Sequence, residues 1–308
     1  MRCRARAAGA VALTLALAGP FAPVAAHAAA GQHLRGARSS HFHSVPAPRV
    51  LAVPGTVNAR DMGGYRTYDG KVTRWGRVYR SESLSKIPPE GVTALGGLGL
   101  GSVVDLRTAA EVQADGTDRL PAGVTSLPQP VDDTSLFAFI GQAVRSKDPV
   151  YQQAVLGDGK AEERMRTLYR GFVTDSADRA ALGAVIRTVA NSTKPVLFHC
   201  SAGKDRTGIL ADTVLRAVGV PASTSESDYL LSNQLRAASD QALRDQLKAS
   251  GYMQNPDLLI PLQEVRSDYL AAFRDQAVQD YGSFGAFLTD GLGLDVPTLA
   301  RLRARLVG

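Results

Sequence analysis

The residues with the most reactive chemistry stand in one short stretch, residues 195–208, which reads PVLFHCSAGKDRTG. The stretch contains Cys200, and the chain has one other cysteine, Cys3. An unpaired thiol is open to oxidation, so a protein keeps one either because it is buried and inert or because it reacts. The small and basic residues that follow Cys200 favour a reactive thiol.

The segment after Cys200 is suited to bind an oxyanion. A buried strand is predicted to end just before Cys200, and a helix is predicted to begin near Arg206. Small residues between them allow successive backbone N–H groups to turn inward, and the start of the helix adds unpaired donors. We therefore expect a phosphate-sized anion to bind at this segment. The expected substrate-binding residues are Ser201, Ala202, Gly203, Lys204 and Thr207.

The same positive field is expected to lower the pKa of the Cys200 thiol. Cysteines at helix N-termini near cations have pKa values of roughly 3.5–7.5, against about 8.5 for a free thiol. Cys200 should therefore be a nucleophilic thiolate at neutral pH. Arg206, six residues further on, can bind two phosphate oxygens bidentately. Thr207 is expected to donate its hydroxyl to the sulfur.

His199 stands directly before Cys200, but adjacent strand residues point to opposite faces. We therefore expect His199 to hydrogen-bond the loop backbone and not to act as a general base. It is also the one histidine in residues 50–308. This excludes a multi-histidine metal centre and a Ser-His-Asp triad from that part of the chain, and no metal or cofactor is expected.

The elements that must position this loop follow from the pattern of apolar residues. Residues 196–199 are an apolar run opened by a proline and are predicted as a central parallel strand. SVVDLR, residues 102–107, is predicted as a second buried strand, and residues 123–128 as a third. Asp105 lies near the carboxyl end of its strand, where sheets of this class present functional side chains.

Helices are predicted where apolar residues recur at three- and four-residue spacing. The predicted helices cover residues 88–98, 161–172, 177–190, 207–218 and 265–281. Residues 223–226, STSE, predict a capping box for one more helix. An Asp69-Gly70 turn within residues 68–80 predicts a β-hairpin arm. Together these elements indicate one α/β domain with a short, mostly parallel central sheet flanked by helices.

The first thirty residues have the composition of a secretory signal peptide. Three arginines precede an apolar run, residues 7–18, and an Ala-x-Ala-like exit follows. The run is shorter than the roughly 20 residues that span a bilayer. Residues 1–30 are therefore predicted as a signal peptide, residues 31–49 as a flexible linker and residues 50–308 as the folded domain. We expect secretion through a Sec-type route, with no stable membrane insertion after cleavage.

The charge of the chain is mildly basic. The formal net charge is +6, and loss of the three arginines in residues 1–30 leaves +3. The remaining lysines and arginines are scattered among acidic residues. A general nucleic-acid-binding protein would show clustered basic residues, so nucleic acid is excluded as an expected partner.

The combination His-Cys-x5-Arg-Thr-Gly, residues 199–208, resembles the signature of the cysteine-dependent tyrosine and dual-specificity phosphatases. The fuller form HCSAGKDRTG is similar to the signature of a bacterial branch of this family, the branch represented by the secreted mycobacterial protein tyrosine phosphatase B. Four companion motifs follow the same order as in that branch. They are NARDMGGY (58–65), GRVYRSESLSK (76–86), VVDLRTAAEV (103–112) and DYLLSN (228–233). The resemblance covers nearly all of residues 50–308 and implies the cysteine-dependent phosphatase fold.

The resemblance also implies a phosphocysteine mechanism, in which Cys200 attacks phosphorus and Arg206 with the loop amides stabilises the transferring group. The leaving group then needs a proton, and this chain lacks the Trp-Pro-Asp loop of the common tyrosine phosphatases. Asp205, inside the loop, and Asp105, at the end of its strand, are equally favoured as the general acid. Two further candidates, less favoured, follow a predicted strand: Asp132 and Asp133.

The expected activity is that of a protein tyrosine phosphatase. Lys204 places a second cation beside Arg206, which favours phosphoinositide or phosphoserine/threonine hydrolysis as additional activities. The alternative enzyme is a phosphatase of inositol phosphates or other small metabolites. A non-catalytic phosphate-binding module is disfavoured because Cys200 and Arg206 are both intact. A sulfurtransferase is disfavoured because it does not require the Arg-Thr-Gly helix start.

Overall fold

A mostly parallel sheet of five strands lies at the centre of residues 50–308, which are the residues that the computed structural model describes. The strands are β1 (Arg60–Asp61), β2 (Val78–Ser81), β3 (Ser102–Asp105), β4 (Thr125–Pro128) and β5 (Val196–His199). Their order is β1-β2-β5-β3-β4, and β1 alone among them runs antiparallel to its neighbour. The short, mostly parallel sheet is as predicted. The predicted signal peptide and linker lie outside the described residues.

Strand β5 is the central strand because its side chains are apolar on both faces. Val196 and Phe198 pack into the larger hydrophobic core on one side of the sheet, and Leu197 packs into a smaller core on the other. This alternation is the period of two that a strand imposes on its side chains. His199 is paired in register with Ser81 of β2 and Asp105 of β3. The carboxyl ends of the three strands therefore meet at one edge of the sheet, and Cys200 leaves from that edge.

Helices cover both faces of the sheet. They are α1 (Pro89–Gly96), α2 (Ala109–Asp115), α3 (Leu136–Ser146), α4 (Pro149–Leu156), α5 (Lys160–Thr174), α6 (Ser176–Asn191), α7 (Arg206–Ala217), α8 (Ala222–Ala249), α9 (Ile260–Gln263), α10 (Ser267–Tyr281), α11 (Phe284–Ala286) and α12 (Val296–Leu306). A 3-10 turn covers Pro256–Leu259 and a π turn Phe287–Gly291. Helix α1 contributes to the smaller core, and α5, α6, α7 and α10 contribute to the larger one. In residues 50–308 no helix has the length and apolar character needed to cross a membrane.

The five helices predicted from apolar spacing are present as α1, α5, α6, α7 and α10. The predicted capping box at residues 223–226 is wrong. Helix α8 begins at Ala222 after Pro221, so the serine hydroxyls lie inside its first turn. Ser225 Oγ instead donates a hydrogen bond to Asp212, at 2.6 Å. A proline in extended conformation already fixes the start of this helix, so no side-chain cap is needed.

The predicted hairpin is present in a shorter form. Gly70, with φ +82°, turns the chain, and Arg66 pairs antiparallel with Val72. The arm does not extend to residue 80, because Val78 begins β2 and pairs with β5 inside the sheet. Burial of the apolar residues of β2 contributes more stabilising free energy than extension of an exposed two-stranded arm would.

Two arginines and one aspartate, all buried, connect β1 and β2 to α8. Arg60 Nε lies 2.8 Å from Asp228 Oδ1, and Arg80 Nη1 lies 2.6 Å from Asp228 Oδ2. Tyr65 donates its hydroxyl to the same carboxylate at 2.9 Å. Burial alone would raise the pKa of Asp228, but the two guanidinium groups outweigh burial and hold it below its usual range. This cluster ties three of the four motifs that accompany the Cys200 loop into one buried unit.

Candidate active site

The loop of residues 201–205 connects β5 to α7 at the carboxyl edge of the sheet. Cys200, at its start, is 2% exposed. Among residues 50–308, no oxygen accepts a hydrogen bond from the backbone N–H groups of 201–205. The first turn of α7 adds the unpaired N–H groups that every helix start carries. The loop therefore offers a run of free donors next to a thiol.

Gly203 is required by the path of this loop. Its φ is +67°, and a Cβ placed there would lie 2.4 Å from the carbonyl oxygen of Ser81. A side chain would therefore be strained and would also collide with the end of β2. The absence of a side chain at Gly203 lets the loop pass close to the sheet edge.

Arg206 is fixed by an ion pair that sequence reasoning missed. Its Nη1 and Nη2 donate to the two carboxylate oxygens of Glu111 at 2.7 and 2.5 Å. Nη1 also lies within hydrogen-bond distance of the carbonyls of Leu106 and Val131. Burial would lower the pKa of Arg206, but Glu111 and the nearby Cys200 sulfur outweigh burial and raise it. Arg206 is therefore a permanent cation in one fixed orientation.

Glu111 joins α2 to the loop. It forms a capping box with Thr108, whose backbone N–H donates to Glu111 Oε2 at 2.8 Å. Ser201 Oγ donates to Glu111 Oε1 at 2.6 Å. Burial acts to raise the pKa of Glu111, but the hydrogen bonds and charge of Arg206 lower it to about 2. The T-x-x-E spacing within the motif VVDLRTAAEV is the sequence signal that could have found this residue.

Asp105 is committed to its neighbour Arg107. Its carboxylate accepts hydrogen bonds from the backbone N–H of Arg107 at 2.9 Å, from Nε at 3.0 Å and from Nη2 at 2.8 Å. Asp105 therefore holds the Arg107 guanidinium and backbone at the end of β3. Asp105 and Asp205 therefore both remain candidates for the general acid, since each carboxylate is bound by a cationic side chain.

Asp205 lies inside the loop, where it accepts hydrogen bonds from two buried side chains. Tyr169 Oη donates to Asp205 Oδ1 at 2.8 Å, and Lys204 Nζ lies 2.8 Å from Oδ2. Lys204 is 4% exposed and also donates to the carbonyl of Glu264. Lys204, expected as a second cation beside Arg206, is paired with Asp205 in this structure.

Thr207 does not form the predicted hydrogen bond to the sulfur. Its Oγ1 is buried and has no hydrogen-bond partner among residues 50–308.

Asp133 lies near enough to Glu111 and Arg206 for their charges to act on its carboxyl group. Burial raises the pKa of Asp133, so this residue gains weight as a general acid relative to Asp105. The backbone N–H of Asp132 donates a hydrogen bond to Asp178 Oδ1 at 2.7 Å.

His199 has a structural position, as expected. Its side chain is fully buried, with Nδ1 3.1 Å from the carbonyl oxygen of Cys200 and Nε2 2.7 Å from Asp118 Oδ2. One ligand atom from each of Asp105, Asp118 and His199 lies within 4.8 Å of the others, which is close enough for a metal site. The Arg107 guanidinium lies 2.8 and 3.0 Å from the two carboxylates, however, and already supplies the positive charge there.

The sequence of this chain is similar to those of known proteins over most of its length. The sequence model of the tyrosine phosphatase family matches residues 51–308. The triple specificity protein phosphatase PtpB of Mycobacterium tuberculosis is 32% identical over 288 residues, covering 84% of this chain and 99% of PtpB. A Cupriavidus necator protein with a provisional tyrosine-protein phosphatase name is 31% identical, covering 86% of this chain and 94% of its own. Pseudomonas aeruginosa TpbA, a solved structure, has 18% identity and a TM-score of 0.25, with 76% of this chain and 90% of its own covered.

We expect Glu111→Gln to destabilise the protein in a pH-dependent way. The pKa of Glu111 falls from an ordinary 4.5 to about 2 on folding, which corresponds to about 3 kcal/mol. Because the folded pKa is the lower one, this stabilisation is complete above pH 4.5 and is lost as pH falls towards 2. Urea unfolding of both proteins should show a large difference in free energy of unfolding at pH 7 and a much smaller one near pH 3.

Glu163→Gln is the matched control for this measurement. Glu163 is 56% exposed and pairs with Arg166 at the surface, where solvent screens the interaction. Its loss should leave the free energy of unfolding close to that of the wild type at both pH values. A Glu111→Gln effect that is the same at pH 7 and pH 3 would contradict the assigned pKa.

Proposed function

The chain belongs to the tyrosine phosphatase family, and from that premise we propose that Cys200 hydrolyses phosphotyrosine esters through a phosphocysteine intermediate. The observation that carries this proposal is the run of free N–H groups in residues 201–205 beside Cys200 and the fixed Arg206. Such donors complement the equatorial oxygens of a transferring phosphoryl group. They would also stabilise the thiolate form of Cys200.

The reaction has two steps in this proposal. In the first, the Cys200 thiolate forms an S–P bond while the P–O bond to the tyrosine oxygen breaks, and a general acid protonates that oxygen. In the second, water forms a new P–O bond, the S–P bond breaks, and the water proton returns to the same carboxylate. Inorganic phosphate leaves, and the thiolate is restored.

The way Glu111 binds Arg206 leaves one edge of the guanidinium available for substrate. Glu111 takes one N–H from each terminal nitrogen. Among residues 50–308 no atom accepts a hydrogen bond from Nε of Arg206, and Nη2 keeps a second N–H. These two groups lie on the same edge of the planar guanidinium, which matches two phosphate oxygens. Glu111 thus orients Arg206 without occupying its phosphate-binding edge.

Asp205 is the general acid in this proposal. It directly precedes Arg206, and Tyr169 and Lys204 hold its carboxylate in place. Asp133 is the second candidate because burial raises its pKa.

Phosphotyrosine proteins are the proposed substrates. A relative that is similar over most of the chain is named a triple specificity phosphatase, so phosphoserine/threonine and phosphoinositide esters are proposed as secondary substrates. Lys204 is bound to Asp205 and buried. A multiply charged inositol headgroup would have to separate this ion pair to gain the lysine, which favours phosphotyrosine over phosphoinositide.

We also propose that the protein is exported with residues 1–30 as a Sec-type signal peptide. The support is the cationic start and short apolar run of that segment. When the full chain is expressed in a bacterial host, the protein should be found in the culture medium or the periplasm. N-terminal sequencing should show that it begins at Ala29 or Gly31. Retention of Met1 in a cytoplasmic product would contradict export.

The class of activity is tested by initial rates on phosphotyrosine peptides, phosphoinositides and inositol phosphates. We expect the fastest turnover on phosphotyrosine, inhibition by vanadate, and a loss of more than about 10³-fold in Cys200→Ser, because that variant lacks the nucleophile. Faster turnover of inositol phosphates would favour the metabolite phosphatase. An activity that survives in Cys200→Ser would contradict the phosphocysteine mechanism.

The general acid is tested with two leaving groups, unsubstituted phenol and a phenol that leaves readily without a proton. Asp205→Asn should lose about 10²–10⁴-fold in kcat on phenyl phosphate and far less on the better leaving group. Asp105→Asn should affect both substrates equally. An equal loss on both substrates in Asp205→Asn, with the unequal pattern in Asp133→Asn, would assign the role to Asp133.

A further inference from the structure

Two peptide units in the middle of the Cys200 loop are held from outside the loop. Asn58 Nδ2 donates to the carbonyl oxygens of Ala202 and Gly203 at 3.2 and 3.1 Å. Arg80 Nη2 donates to the Gly203 carbonyl at 2.9 Å, and Arg236 Nη1 donates to the Ala202 carbonyl at 3.2 Å. Each of these two carbonyls therefore has two donors, and all the donors come from elements other than the loop.

The orientation of a carbonyl fixes the orientation of the next N–H. A trans peptide unit is planar, and its C=O and N–H point in opposite directions. No cis peptide occurs in residues 50–308. Because the carbonyls of Ala202 and Gly203 point towards Asn58 and Arg80, the N–H groups of Gly203 and Lys204 point the opposite way. These are two of the free donors proposed to bind phosphate.

The loop needs these hydrogen bonds from other elements because Gly203 allows more than one backbone conformation. Glycine adopts positive and negative φ with little difference in energy, so the peptide units on either side of it can rotate. A rotated unit would present a carbonyl oxygen to the phosphate and to the thiolate, which repels both. The hydrogen bonds from outside select one of the two orientations.

The donors that make these hydrogen bonds are themselves fixed. Asn58 is fully buried, and its Oδ1 accepts a hydrogen bond from Arg60 Nη1 at 2.5 Å. Arginine is only a donor, so Oδ1 must face Arg60 and the amide nitrogen must face the loop. Arg80 is also fully buried, with Nη1 bound to Asp228 and Nη2 left for Gly203. Neither side chain can turn away without breaking a buried hydrogen bond.

We propose that Asn58 and Arg80 are positioning residues of the phosphatase reaction: they hold two loop carbonyls outward, so that the amides of Gly203 and Lys204 face the phosphoryl group and Cys200. This inference rests on the proposed function of the loop. Arg80 adds to the effect because a charged donor on the Gly203 carbonyl polarises that peptide unit and strengthens its N–H as a donor.

The test uses two variants that remove the hold in different ways. Asn58→Ala removes both amide hydrogen bonds without adding charge. Arg80→Lys keeps the charge, but one ammonium nitrogen cannot replace the two guanidinium nitrogens that bind Asp228 and Gly203. We expect each variant to lose about 10²-fold in kcat, as when an oxyanion donor is lost. Vanadate should bind about tenfold more weakly, and the midpoint of Cys200 alkylation by iodoacetamide should move to higher pH.

Ser232→Ala is the matched control. Ser232 is buried in the same region and accepts a hydrogen bond from Arg60 Nη2 at 3.2 Å, but none of its hydrogen bonds reaches the loop. It should leave kcat, vanadate affinity and the alkylation midpoint within about twofold or 0.3 pH unit of the wild type. All variants are compared at a temperature where circular dichroism shows them folded.

The two proposals fail in different ways in this experiment. A wild-type protein without vanadate-sensitive turnover would overturn the proposed function and the inference with it. If the wild type is active while Asn58→Ala and Arg80→Lys behave like Ser232→Ala in all three measurements, the positioning role is wrong. If Asn58→Ala does not fold, Arg80→Lys decides alone, since it preserves the buried charge.

Discussion

The geometry of the site depends on one constraint, which is that the backbone N–H groups of residues 201–205 face no acceptor within the described part of the chain. An unpaired donor that is shielded from water costs about 1–3 kcal/mol. A run of such donors persists only where neighbouring elements fix it. Strand β5 and helix α7 fix the ends of the loop, and Asn58 and Arg80 hold its middle. An anion that accepts from the whole run removes this cost.

The charges near the loop are arranged as ion pairs, which leaves the loop amides and one edge of Arg206 without acceptors among the described residues. The pairs are Arg206 with Glu111, Lys204 with Asp205, and Arg107 with Asp105 and Asp118. Pairing restricts each long side chain to one orientation. For Arg206 this leaves Nε free, and for Asp205 it fixes the carboxylate between Tyr169 and Lys204. The motif VVDLRTAAEV therefore supplies the charged partner of Arg206, whereas Lys204 and Asp205 pair with each other.

The expectations that changed did so because spacing along the chain does not reveal which tertiary contacts a side chain makes. Lys204 was expected as a second cation beside Arg206, and it is buried against Asp205 and the Glu264 carbonyl. Thr207 was expected to reach the sulfur but has no hydrogen-bond partner in the described residues. The capping box expected before α8 is absent, and one with the same spacing holds Glu111 at the start of α2.

The sequence by itself determined the strand, loop and helix around Cys200, because apolar period, small residues and helix starts are local properties of the chain. It also singled out Cys200 and Arg206, which lie six residues apart in one signature. Only the tertiary structure decided which residues hold them. Glu111 is 95 residues from Arg206, and Asn58 is 145 residues from Gly203. The chain has 35 basic and 29 acidic side chains, so many pairings between them are conceivable. The packing of α2, β2 and α8 at the sheet edge decides which residues meet, and the spacing of residues along the chain does not reveal this packing.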